Sequence, residues 1–167
     1  MRRPDIRASA DACERAFAFL VDEFSYRHVG TELRDRGFRI RYADPVVGVH
    51  LDWFLGDPFW VFLVRLVDGE FPPRRDIRPD SGIDYIDLAT VEDLVGQESD
   101  VYRGDFSPLP DDQRAQAVAR SLRACGGPIL NGDLQQWGAL EDRVKERFRE
   151  DIIKNGGVDL ARRLGWL

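Results

Sequence analysis

At 167 residues, with 43% hydrophobic and 32% charged residues, the chain is long enough for one packed domain and too apolar for wholesale disorder. Its net charge of −6 and pI near 5.0 speak against a general nucleic-acid binder. Its longest apolar run, residues 59–64, falls far short of the ~20 residues a membrane-spanning helix needs. No apolar stretch follows the basic start Met1-Arg2-Arg3, so a cytoplasmic protein without membrane contact is expected.

In chain order, Cys13, Ala16, Phe17, Leu20 and Phe24 recur at helical spacing, and Ser9 or Asp11 can cap the helix they define. Residues 25–37 have no clean period and are expected to cross the sheet edge as a loop or irregular strand. Three strands follow, at 38–42, 46–54 and 59–67. In the first two, Phe38, Ile40, Tyr42, Val47, Val49, Leu51 and Trp53 alternate and so line one face, while Arg39, Arg41, His50 and Asp52 point the other way. The run 59–64 is apolar on both faces, which suits a strand covered on both sides. Turns at 43–45 and 56–58, each with an Asp-Pro pair, imply antiparallel neighbours.

Residues 70–80 read as a loop and 83–88 as a fourth strand. A short helix then starts at Thr90, with Asp93 three residues on, and stops at Gly96. Asp111 caps a helix whose stripe is Ala115, Val118, Ala119, Leu122 and Cys125, ended by Gly126-Gly127-Pro128. Trp137, Leu140, Val144, Phe148 and Ile152 mark a last long helix to about residue 154, closed by Asn155-Gly156-Gly157, after which Val158, Ala161 and Leu164 suggest a last helical turn or two docked by Trp166 and Leu167. The order predicts a single α+β domain over residues 1–167: an antiparallel meander of about four strands, with one helix before it and the others after it packed on the sheet. The two cysteines, Cys13 and Cys125, fall on helix stripes and are expected as buried thiols, with no disulfide framework and no zinc motif.

Phosphate-binding glycine loops and a nucleophile elbow are absent from the sequence, and no cofactor or metal site is implied. His50 and Asp52 share a strand face and could form half of a general-base arrangement, as in a small hydrolase or transferase, but no nucleophile accompanies them. The simpler expectation is two polar residues on a solvated sheet face. Gly132-Asp133 can present backbone N–H groups to an anion, or Asp133 can simply cap the last helix. Trp53 and Trp60 suit either core or the lining of a pocket, the latter leading to a ligand-binding regulatory domain.

Charge is unevenly spread. Residues 76–112 hold eleven acids against two arginines, a balance of −9 where the whole chain carries −6. A concentrated negative segment favours a basic protein partner and speeds its encounter, and a solubilising face is the plainer alternative. The partner-facing residues expected from this segment are Asp84, Asp87, Glu92, Asp93, Glu98 and Asp100, with Tyr85 or Tyr102 as an aromatic anchor.

The layout resembles that of small bacterial immunity proteins of polymorphic toxin systems. The likeness rests on Phe-Leu-Val-Asp-Glu-Phe at 19–24, the charged meander, Tyr85-Ile86-Asp87-Leu88 before a short helix, and Gly132-Asp133-Leu134 before the last helix. It implies a protein, monomeric or weakly dimeric, that binds one toxin tightly and blocks its active site or an exosite. Such toxins are often basic nucleases, which suits the acidic segment. The resemblance assigns no individual binding residue.

Overall fold

Alternating apolar residues across the middle of the chain build a five-stranded antiparallel sheet in strict sequence order. Its strands are β1 (Arg27–Arg34), β2 (Gly37–Ala43), β3 (Val47–Phe54), β4 (Trp60–Arg65) and β5 (Tyr85–Asp87). This computed structural model describes residues 5–97 and 110–167. The helices are α1 (Ile6–Ala16) and α2 (Phe19–Asp22) before the sheet, then α3 (Leu88–Leu94), α4 (Asp112–Cys125), α5 (Gly127–Leu130) and α6 (Trp137–Arg163). The architecture is α+β, with an N-terminal helix, the sheet, and C-terminal helices.

The three strands of the meander fall where the alternation places them, and Phe38, Ile40, Val49, Leu51 and Leu63 are all buried completely. The segment expected as a loop or irregular strand is instead β1, paired with β2 along its length apart from an irregularity between His28 and Gly30. It has no hydrophobic period because it is an edge strand: none of its eight residues is fully buried, so neither face needed to be apolar.

Caps account for most boundary differences. Asp5, not Ser9 or Asp11, caps α1 by accepting from the Ala8 N–H at 3.0 Å. The expected continuous helix to Phe24 breaks after Ala16 and resumes as α2. Asp87 caps α3, so that helix begins two residues before Thr90. Asp111 caps α4 as expected. Beyond Gly126, Pro128 sits in the first turn of α5, where its missing N–H costs nothing. Asp133 accepts from the Gln135 N–H at 2.9 Å within a turn and is not the cap of α6, whose N-cap is Gln136. At Gly157, φ 79° and ψ 167° break the helix where a stop is expected, and the expected last helical turns follow as far as Arg163.

α1 packs against α4 and β2, and α6 lies along α3 and β5. The Trp137 indole N–H donates to the Ile83 carbonyl at 2.9 Å, which ties the start of α6 to the chain entering β5. Cys13 and Cys125 are free, buried thiols, and burial pushes them up to about 12 and about 11. Among the described residues, no helix is long and apolar enough to cross a membrane.

Candidate functional site on the second sheet face

Strand pairing decides which polar side chains meet. On the face away from the main core, Glu32, Arg39, Asp52 and Trp60 form one cross-strand row. The next row runs Gly30, Arg41, His50, Phe62 and Asp87. The sequence places Arg39, Arg41, His50 and Asp52 together on this face, and the structure does the same. It departs from the expectation of a solvated face, because His50 is only 2% exposed.

The cover is a strap, residues 71–74, lying over a second apolar cluster of Ala43, Phe62, Val64 and Leu66 joined by Phe71 and Tyr85. Gly48 makes room for it: a Cβ there would stand 2.6 Å from the Phe71 ring. The Tyr85 hydroxyl donates to the Pro72 carbonyl at 2.8 Å. The Arg74 guanidinium lies 4.0 Å from the Phe62 ring centre and 5.3 Å from that of Tyr85, and Arg41 lies 5.1 Å from that of Phe71. Inside, the His50 imidazole is ringed by Tyr85, Phe62 and Phe71 at 5.7, 6.0 and 6.3 Å between centroids.

His50 Nε2 is 3.6 Å from Asp52 Oδ2, beyond hydrogen-bond reach, and neither ring nitrogen has a partner in the protein. Burial holds its pKa below the ordinary imidazole value, and the Asp52 carboxylate offsets that only in part. Burial on its own raises Asp52, but His50 and Arg39 outweigh it and hold the carboxyl below its usual range. Arg39 donates to Asp52 at 3.2 Å, and Arg34 stands 4.0 Å away. The imidazole is therefore enclosed and neutral, while the Asp52 side chain stays 19% exposed. A general base needs to reach the proton it removes; both His50 ring nitrogens are buried, and the Tyr85 hydroxyl beside them donates to Pro72.

Outside the strap the surface opens into two adjoining hollows. One, about 200 Å³, is walled by Phe62, Arg74, Asp76, Asp84 and Tyr85. The other, about 280 Å³, is walled by Trp60, Thr90, Arg147, Phe148 and Asp151. Ile77, Asp87 and Val144 line both, so the two form one trough between the strap, β5, the start of α3 and α6. Trp60 is 37% exposed at its rim, whereas Trp53 is core.

The acids expected to face a partner have mostly internal roles. Asp84 pairs with Arg65 at 3.2 Å, and Arg65 also holds Glu141 at 3.1 Å. Asp87 accepts from the Thr90 N–H at 3.0 Å and its hydroxyl at 2.8 Å, with Arg147 3.9 Å away. Asp93 pairs with Arg143 at 2.7 Å. Glu92 is a correction: it is 2% exposed beneath α4 and accepts from the Ser121 hydroxyl, so it is not a surface residue. Tyr85 is a wall of the His50 cage and of the trough, not a free anchor. Glu98, Asp100 and Tyr102 lie outside the described residues. Among those described, no three metal-ligating side chains come together.

Sequence reasoning missed Phe71 and Arg74, which lie in what reads as plain loop. The available signal was the two-sided apolar pattern of 59–64. Phe62 pairs with His50 across β3 and β4, so whatever covers Phe62 must also cover His50. No family model matches the chain, and neither the curated proteins nor the solved structures yield a match.

Proposed function

We propose that the chain is a cytoplasmic binding protein, of the immunity-protein kind, that neutralises a cognate bacterial toxin by covering a basic surface or active site. The trough is the docking surface. The observation that carries this reading is its composition: the exposed Trp60 and the part-buried Phe148 stand beside the carboxylates Asp76, Asp87 and Asp151. A half-exposed aromatic next to charged groups is the make-up of an interface hot spot. Both ring nitrogens of His50 are buried beneath the strap. The negative segment identified in the sequence contributes its Asp76, Asp84 and Asp87 to this trough, so a basic partner remains the best match, although Asp84 and Asp87 already hold arginines.

The test is co-expression with the toxin-like product of an adjacent reading frame. Growth should be rescued, and a stable complex should be recovered by size-exclusion chromatography. Trp60→Ala and Phe148→Ala should each weaken that complex at least about tenfold, the size of a hot-spot loss. Full rescue by both variants would remove the trough from the interface.

A further inference from the structure

We propose that Arg41 and Arg74, which flank the Phe71–Tyr85 edge of the strap, form a binding site for an oxyanion, a phosphoryl or carboxylate group.

Most partly buried arginines near this face are satisfied by carboxylates. Arg34, Arg39, Arg65 and Arg143, each partly buried, each hold a carboxylate. Arg41 is equally enclosed and holds none; its guanidinium rests by the Phe71 ring. Arg74 also rests on rings, those of Phe62 and Tyr85, without a carboxylate partner. Packing against those rings lowers the Arg74 pKa, and the Asp52 carboxylate offsets this only in part.

The second observation concerns donors. Among the described residues, six buried side-chain polar atoms lack a hydrogen-bond partner in the protein, and four of them belong to Arg39, Arg41 and His50. Clustering of unsatisfied polar atoms, three of them donors, on one patch of one face is unusual, because buried polar groups are ordinarily paired. The His50 side chain behind the patch is 97% buried. Arg41 at the Phe71 ring and Arg74 at the Phe62 and Tyr85 rings border the one aromatic cluster that surrounds His50, and both offset in part the burial that raises the Tyr85 hydroxyl.

The carboxylates of this face are already engaged: Asp52 with Arg34, Arg39 and His50, Glu32 at the rim with Arg34 and Arg39, and Asp87 with Thr90 and, at 3.9 Å, Arg147. An anionic ligand would complete the set. Guanidinium forks bind carboxylate and phosphate two-pronged, and the ring beneath each fork fixes its plane. Arg74 and Tyr85 also line the smaller hollow, so an anion bound here would sit at one end of the trough. The site does not depend on the partner being a toxin.

The experiment follows the arginine Nε–H signals by NMR while inorganic phosphate, and separately acetate, is added at constant ionic strength. Saturable shifts at Arg41 are expected, with Arg41→Gln and Arg74→Gln each weakening binding at least about tenfold. Arg74 is exposed on the strap, so its variant keeps the test valid if Arg41→Gln does not fold. Phosphate tighter than acetate by tenfold or more assigns a phosphoryl ligand, and comparable affinities assign a carboxylate. Shifts that never saturate, or that are the same in Arg74→Gln as in the unaltered protein, would overturn the proposal.

Discussion

The two faces of the same sheet are closed by different means. The inner face carries Phe38, Ile40, Leu51 and Leu63, fully buried in one cluster with residues of α1 and α4. The outer face has four buried apolar residues, Ala43, Phe62, Val64 and Leu66, and one extended strap. Helices bring long apolar stripes, whereas a strap brings single residues, so rings and guanidinium groups complete the outer seal. The inner face therefore carries stability, and the thin outer one leaves charged groups close to the surface, where they can recognise something.

The sharpest way to break this contrast is at Glu92. Its carboxylate is buried, while neighbouring Asp93 is exposed on the same short helix. Glu92→Arg should cost about 3–5 kcal/mol, as for an uncompensated buried charge, and Asp93→Arg no more than about 1 kcal/mol, by denaturant melts. Equal costs would mean the charged segment is uniformly exposed. Next come side-chain truncations on the two faces. Leu51→Ala should cost about 3–5 kcal/mol, and Phe71→Ala about 1–3 kcal/mol because its ring is only partly buried. Gly48→Ala should cost about 1–2 kcal/mol, and most of that should vanish in a Phe71→Ala background, since the clash is with that ring.

The smallest effect is with pH. Burial lowers the His50 pKa, so as pH falls the unfolded chain takes up this proton first. The His50 contribution is complete above the unfolded value of about 6.5, declines below it, and levels off once the pH passes the folded value. The slope should not exceed about 1.4 kcal/mol per pH unit, and His50→Phe should flatten it. Asp52 and Glu32, both lowered, have their effect further down, below the usual carboxylate range. A slope unchanged in His50→Phe would place the titrating group elsewhere.

Legibility in the sequence followed the contrast between the faces. The inner face was readable because a strand buried on one side writes its period directly, as at Val47, Val49, Leu51 and Trp53. β1 was not, since an exposed edge has no period to write. The outer face was half readable: alternation placed Arg39, Arg41, His50 and Asp52 together, but their burial depends on Phe71 and Arg74, some twenty residues on in a segment without regular structure. The acidic segment was legible as charge and not as geometry. Composition cannot show that Asp84, Asp87 and Asp93 meet arginines from β4 and α6, nor that Glu92 points inward.

Whether the working surface is the open trough or the enclosed imidazole is tested most directly by comparing Trp60→Ala with His50→Phe in one rescue assay. With the toxin-like product of an adjacent reading frame co-expressed and the folded state of both variants checked by circular dichroism, His50→Phe should protect cells as the unaltered protein does, because the imidazole is buried behind the trough. Trp60→Ala should lose protection, with its complex weakened about tenfold or more. Loss of protection in a folded His50→Phe protein, with Trp60→Ala fully protective, would contradict a trough-based binder and return the function to the buried histidine.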